Sequence, residues 1–413
     1  MKNFIKSLIF FTCLIFRKKE IDIVFSYNYS FNNNGLHPKL IEPLIEFCNN
    51  NRISYIIFED VDLLIQKESY RLNQDSIPMT FITIIESILT KIFIFFNPSL
   101  RPDPNQFIGK SSIHNKVAKI SSIFARRIIT KSIITLVSNR SSFWRYSHKT
   151  SQIFDYQHGI IFDGDMNYLI DGFPPKYRVE LDIKLLTQSK FIKDLIISRD
   201  KSGFYSNKNI LSIGRFIDNK KIYSSPGGNE IKILFSAQNT PDGKTQDLEI
   251  YHQKLSRFFS EINSFCEFNN VRIFFKDHPR ALAGQDISYL DYNFITKIGN
   301  SDIYESLQDM DWHMTLNSTS SIEAAEVGVP TIFLELENPA DGEFPNLASK
   351  FIFKDQYFYP FKTHFVENPS SFCALIQDYI DNDRSLGRDE LHDWFHVLVE
   401  KFDSEEFARA LRL

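Results

Sequence analysis

Twice along its length this chain alternates short apolar runs with stretches of helical spacing, and that repetition restricts the fold more than any other feature. In the first series, residues 21–27 form an apolar run, 38–50 has helical spacing and 53–58 is apolar again. Residues 152–156 and 185–187 continue as strands, 189–198 as a helix and 209–214 as a strand. A second series runs through strands at 231–236, 271–275, 312–316 and 331–334. Between and after them lie helices at 247–268, 301–309, 321–327, 370–381 and 389–411. Apolar runs separated by helices read as strands buried on both faces, the pattern of a parallel sheet. Ser224-Ser225-Pro226-Gly227-Gly228-Asn229 separates the series and reads as a linker. The expected architecture is α/β, with two doubly wound, Rossmann-like domains.

A length of 413 residues suits two cores better than one. The net charge of −4 leaves no overall basic character of the kind a nucleic-acid partner requires, so none is expected. Cys13, Cys48, Cys266 and Cys373 lie far apart without metal-ligand spacing, which fits buried thiols in a reducing, cytoplasmic compartment. The first residues are apolar from Phe4 to Phe16, apart from Lys6, Ser7 and Thr12, and Arg17-Lys18-Lys19 follows. This stretch is short for a bilayer span and lacks a small-residue cleavage site. It is expected to lie in the interface of the inner membrane, the other reading being a helix packed in the N-terminal domain. Residues 116–137 read as one cationic amphipathic surface helix, with anionic lipid or a charged acceptor as its alternative contact.

In open α/β sheets ligands bind beyond the carboxyl ends of the strands, so the residues following each strand carry the functional reading. Lys276-Asp277-His278-Pro279-Arg280 follows one strand, where a proline-stiffened turn can present an imidazole and cations to a phosphate. Asn317-Ser318-Thr319-Ser320-Ser321 follows another and precedes a helix. Ser320 with Glu323 reads as a capping box, and the remaining hydroxyls read as an anion site. Ser236-Ala237-Gln238-Asn239-Thr240 ends a third strand, where Gln238 and Asn239 can hydrogen-bond a nucleotide or sugar.

The Lys-x-His-Pro turn and, about forty residues on, the hydroxyl-rich turn running into Glu323-Ala324 and Gly328-Val329-Pro330 together resemble the donor half of GT-B glycosyltransferases. The likeness is strongest to bacterial sialyltransferases and to capsule and lipopolysaccharide Kdo transferases, which use CMP-activated sugars. CDP-glycerol-type polymer transferases and nonhydrolysing UDP-N-acetylglucosamine epimerases share the layout. The match covers residues 231–334. It implies that Lys276, His278 and Pro279 form one wall of the donor site and Asn317, Ser318, Thr319, Ser320 and Ser321 the other, with Glu323 on the ribose.

The segments read above divide the chain into a membrane-associating segment over 1–19 and a Rossmann-like acceptor domain over 20–223. A nucleotide-sugar donor domain follows over 224–385, and 386–413 forms a helix packing back on the N-terminal domain. The partners are a nucleotide-sugar co-substrate and a glycan or glycolipid acceptor. The acceptor hydroxyl needs a base. Asp163-Gly164 is similar to the acidic-Gly motif of the sialyltransferases, although Phe162 stands where a further acidic residue is usual. Gln157-His158-Gly159 is more like the capsule transferases. Asp163 is therefore expected as the base, with His158, Asp165 and Asp171 as alternatives. If configuration is retained, a carboxylate acts as nucleophile instead. Asp163-Gly164-Asp165 also spells the Asp-x-Asp by which GT-A transferases hold a metal. The two-domain layout and His278-Pro279 favour phosphate handling with neither metal nor resident cofactor. A non-catalytic nucleotide- or glycan-binding protein is the rival from another functional class.

Overall fold

The computed structural model describes residues 2–28, 40–60, 75–98, 112–136, 140–159, 161, 167–217, 229–237, 245–276, 290–299, 302–316, 318–335, 350–382 and 387–412. The chain forms two compact units, Met1–Phe216 with Val399–Leu413, and Ile217–Leu398. The 223/224 boundary expected from sequence lies outside the described residues.

The first unit is built on strands β1 (Ile23–Asn28), β2 (Tyr55–Asp60), β3 (Ile77–Pro78), β4 (Ser132–Leu136), β5 (Gln152–Tyr156), β6 (Ile183–Thr187) and β7 (Ile210–Ser212). They form one parallel sheet in the order β3-β2-β1-β4-β5-β6-β7. Helices α1 (Lys2–Phe16), α3 (Thr80–Phe96), α4 (Ser112–Ser121) and α5 (Ser141–Ser147) share a core with Val24, Ile56, Phe58 and Ile133 on one sheet face. Alternate strand residues Phe25, Ile57 and Ile134 meet α2 (Glu42–Asn50) and α13 (Ser404–Leu411) on the other. Two further helices are α6 (Lys176–Glu180) and α7 (Lys190–Arg199), the latter capped by Ser189, whose hydroxyl accepts from Ile192 N.

One sequence expectation changes here. Residues 116–137 are not one helix: α4 ends at Ser121, a 3-10 turn covers Ser122–Ala125, Ile128–Ile129 pairs with Lys19–Glu20, and β4 follows. The β-branched run around Ile128, Ile129, Ile133 and Ile134 favours extended backbone over helix. The N-terminal stretch is helix α1, and it is committed to the core through buried Ser7, Phe11 and Leu14. Among the described residues no helix is long and apolar enough to cross a membrane.

The second unit repeats the plan. Its strands are β8 (Ile231–Ser236), β9 (Val271–Lys276), β10 (Ile295–Lys297), β11 (Trp312–Thr315), β12 (Thr331–Leu334) and β13 (Phe365–Val366). All pairings are parallel, in the order β10-β9-β8-β11-β12-β13. Helices α8 (Thr245–Phe268) and α11 (Pro369–Asp381) cover one face, packing on Ile233, Phe275 and Met314. Helices α9 (Ile303–Leu307) and α10 (Ser320–Glu326) cover the other, around Leu234. The single C-terminal helix expected over 389–411 is two: α12 (Arg388–Leu398) in the second unit and α13 in the first.

The returning segment is fixed by backbone pairing. Arg215 N donates to Glu400 O (2.9 Å), Phe402 N to Arg215 O (2.8 Å) and Asp403 N to Ile213 O (2.9 Å). Gly214 sits in this seam with φ +68°, and a Cβ there would collide with the Lys401 backbone. Gly203 has φ +70° but open space around it. Gly203→Ala is therefore expected to cost only the left-handed penalty, about 1–2 kcal/mol. Gly214→Ala should cost clearly more and make 399–413 the first segment cut in limited proteolysis. Urea denaturation of both variants checks the difference, and equal losses would contradict it.

Candidate functional site

In both sheets the strand order reverses once, between β1 and β4 in the first unit and between β8 and β11 in the second. At such a switch point the connections leave in opposite directions and open a crevice beyond the strand ends. In the second unit the residues there are Ser236, which ends β8, Thr315, which ends β11, and Lys276, which ends β9 in register with Ser236.

Beneath this edge lies His313, fully buried on β11 on the face covered by α10. Its Nδ1 is 3.0 Å from Thr331 Oγ1. Its Nε2 is 3.0 Å from Ser236 Oγ and 3.1 Å from Ser320 Oγ. Burial pushes its pKa down to about 3, so the ring is neutral at physiological pH. A neutral imidazole nitrogen offers either one N–H or one lone pair. Ser236 and Ser320 therefore share one position on Nε2, and the hydroxyl not engaged there keeps its hydrogen-bonding capacity for a ligand. Thr315 Oγ1 donates to Ser236 O (3.1 Å), which ties the two strand ends together.

The turn into α10 differs from the capping box expected of Ser320 and Glu323. The N-cap residue is Thr319, which makes no side-chain cap, and Ser320 is already helical. Ser318 organises the turn. Its Oγ accepts from Ser320 N (3.2 Å) and its carbonyl accepts from Ser321 Oγ (2.9 Å). Ser321 is fully buried, so its hydroxyl holds the turn and does not face the crevice as expected. Ser318, Thr319, Ser320 and Glu323 are partly exposed. The displaced cap has a physical cause: Ser320 Oγ is drawn to the buried imidazole, so it cannot also serve the helix terminus.

Lys276 is buried to 7% exposure. Burial pulls its pKa below the ordinary lysine value, while Asp302 and Glu305 at the start of α9 act in the other direction. A lysine at the carboxyl end of a parallel strand is a candidate partner for an anion.

In the first unit, Gln157 after β5 is buried and occupied. Its Oε1 accepts from Gln188 N (2.9 Å) and its Nε2 donates to Gly159 O (2.8 Å). Gly159 has φ +75°, the left-handed region glycine favours. The exposed His158 is thus presented from a fixed backbone. Asn167 O accepts from Tyr177 Oη (3.2 Å) and from Arg178 Nε, and Arg178 also pairs with fully buried Asp155. Asp171 and Gly172, both at positive φ, form the two-residue tip of a hairpin between Ile170 and Phe173. That turn accounts for the Asp-Gly pair without chemistry.

The structure thus brings Lys276, Ser318, Thr319, Ser320 and Glu323 to one sheet edge and presents His158 on the other unit. Asp163, Asp165, Gln238, Asn239, His278, Pro279 and Asn317 lie outside the described residues. Sequence reading missed His313. Its signal was the alternation in Trp312-His313-Met314-Thr315, which puts two polar residues on one face of a buried strand.

The sequence matches no protein-family model and no curated protein. Solved structures do match in fold. A UDP-GlcNAc 2-epimerase from Methanocaldococcus jannaschii aligns over 95% of this chain and 99% of its own, at 11% identity and TM-score 0.51. The wall teichoic acid polymerase TagF aligns over 95% and 88%, at 10% identity and TM-score 0.51. Another UDP-N-acetylglucosamine 2-epimerase gives 95% of both chains, 12% identity and TM-score 0.50. The chain has the GT-B fold, with two Rossmann-like domains.

The buried imidazoles also set an acid limit. His313 and His364 both have native pKa values pushed down by burial to about 3, against 6.5 for a free histidine. The unfolded chain therefore binds more protons between those values. Their contribution to stability is whole above pH 6.5 and is lost progressively as pH falls towards 3. The expected slope is at most about 1.4 kcal/mol per pH unit for each histidine. His313→Gln should flatten that slope by its share, measured by urea denaturation at pH 7, 5.5 and 4.5. An unchanged slope would contradict the buried neutral ring.

Proposed function

We propose that this protein transfers a sugar from a nucleotide-activated donor to a glycan or glycolipid acceptor of the bacterial cell surface, with a CMP-activated sialic acid or Kdo-type sugar as donor. The observation that carries the reading is the cluster at the second switch point. One buried ammonium and several hydroxyls, one of them set by His313, converge where an α/β sheet binds its ligand.

On this reading Lys276 and His278 receive the charge that develops on the departing phosphate, with Pro279 fixing the turn. Asn317, Ser318, Thr319 and Ser320 hydrogen-bond the phosphate from the other side, Glu323 takes the ribose hydroxyls, and Gln238 and Asn239 bind base or sugar. Asp163 removes the proton of the acceptor hydroxyl, with His158 as the alternative base. Phosphate handling by Lys276 and His278 makes a divalent ion at Asp163-Gly164-Asp165 unnecessary, and no resident cofactor is assigned. The reaction is placed in the cytoplasm, with peripheral contact to the inner membrane face.

A second reading keeps the scaffold and changes the donor to a UDP-sugar or a CDP-polyol. It is favoured by the fold neighbours, which include an enzyme named for UDP-GlcNAc and the TagF polymerase in a structure soaked with CDPG.

A thermal-shift panel of CMP, CDP and UDP separates the two. A nucleotide at a hundredfold its dissociation constant should stabilise the native state by about 2.7 kcal/mol. CMP giving the largest shift supports the first reading, and CDP or UDP the second. Lys276→Met should weaken the preferred nucleotide by about 1.5–3 kcal/mol, the worth of a hydrogen bond to a charged group. His278→Ala should abolish transfer in a folded protein, and EDTA should leave wild-type turnover unchanged. Nucleotide binding without turnover or donor hydrolysis would instead identify a non-catalytic binding protein.

A further inference from the structure

The helical layer on one face of the first sheet has an apolar outer side. Helix α1 turns Ser7, Phe11 and Leu14 inward, while Ile5, Ile9 and Phe16 are 46%, 58% and 79% exposed. Those three positions fall on one stripe of the helix. Helix α3 adds Ile92 at 46%, with Phe95 and Phe96 each at 80%. Ile120 on α4 and Ile123 on the 3-10 turn after it are exposed as well. These elements touch one another: the Phe81 ring lies 5.3 Å from Phe124 and 6.2 Å from Phe11. Because all of them cover the same sheet face, their outward side chains point away from the sheet on the same side. Of the 18 exposed large hydrophobic side chains among the described residues, ten belong to these elements. Scattered exposed hydrophobics need no explanation, but a concentration of this kind does.

The charge on the same segments is one-sided. Residues 2–19, 80–96 and 112–131 contain 11 of the chain's 47 lysines and arginines and one of its 51 acidic residues. That acid, Glu86, is paired with Arg140. Lys91, Lys116, Lys119, Arg126, Arg127 and Lys131 are exposed around the apolar side chains.

We propose that this composite face, rather than α1 alone, seats the protein on an anionic lipid bilayer. The exposed Ile and Phe side chains of α1, α3 and the 3-10 turn enter the headgroup layer, and the surrounding cations meet lipid phosphates. A second copy of the chain is the poorer occupant. A two-fold interface sets a patch against itself, which would bring two strongly cationic surfaces together. The proposal deepens the membrane contact of the proposed function. It does not depend on the chemistry, since vesicle binding and nucleotide binding are read separately.

The test is flotation of the full chain with phosphatidylcholine vesicles, with and without phosphatidylglycerol, at low salt. The wild type is expected to float only with the anionic vesicles. Arg126→Gln with Arg127→Gln should reduce partitioning roughly 25-fold, from the loss of two surface charges. Ile92→Glu with Phe95→Glu should abolish flotation with little change in Tm, since both side chains are exposed. Phe95→Trp keeps the face apolar, and its fluorescence should shift to the blue on adding anionic vesicles. Equal flotation with neutral vesicles would overturn the proposal. So would wild-type binding by either double variant, or a Trp signal unmoved by lipid. A wild-type dimer dispersed by Phe95→Glu would assign the face to a second copy, and binding only to an acidic protein would assign it to a partner.

Discussion

The fold depends on one constraint: every strand in both main sheets runs parallel to its neighbours. Parallel strands all end at the same edge, so each connection must cross back over a sheet face as a helix. Functional groups are thereby gathered at one edge, and the helices that cover the faces are fixed by the alternation of strand side chains. Both sheets place their first strand centrally and build outward in two directions. The switch point is a direct consequence of that winding, and in the second unit Ser236 and Thr315 stand at it.

What singles out that edge is the group beneath it. His313 occupies an interior strand position where a branched apolar residue would pack without a polar partner to find. An unsatisfied imidazole there would cost several kcal/mol, and Thr331, Ser236 and Ser320 prevent it. The satisfaction is mutual: the ring stays neutral, and the hydroxyls acquire fixed directions. Helix α10 has seven residues, so its macrodipole is weak beside these positioned groups. The hydroxyls at this edge are held by the buried ring, and the usual helix cap is given up for that contact.

The sequence revealed the architecture because parallel strands buried on both faces leave continuous apolar runs. Residues 21–27, 53–58, 231–236 and 271–275 could be read in this way, and all four are strands. The central strand β4 was hidden because the cations at Lys116, Lys119, Arg126 and Arg127 suggested one long amphipathic period across a helix, a turn and a strand. The candidate site was legible as two strand-end clusters but not as a network. Motif reading attends to loops, and His313 lies within a strand. The Ser320–Glu323 spacing correctly announced a helix start and misplaced its cap by one residue, because local propensity does not register a tertiary partner such as the imidazole. The division of 386–413 between two units was likewise invisible, since both pieces are helical and are distinguished by tertiary pairing, that of Arg215 with Glu400 and Phe402 and of Ile213 with Asp403.

The two units use their polar residues differently. In the first unit the conspicuous polar groups are consumed by structure. Arg140 bridges Asp60 and Glu86, Asp155 pairs with Arg178 in full burial, and Gln157 locks to Gln188. Breaking such buried pairs from one side is strongly destabilising, so groups of this kind are poor reactants. Two further sets of contacts lie at Gln157, whose amide donates to Gly159 O, and at Asn167, whose carbonyl accepts from Tyr177 and Arg178. His158 is exposed between buried Gln157 and the left-handed turn at Gly159.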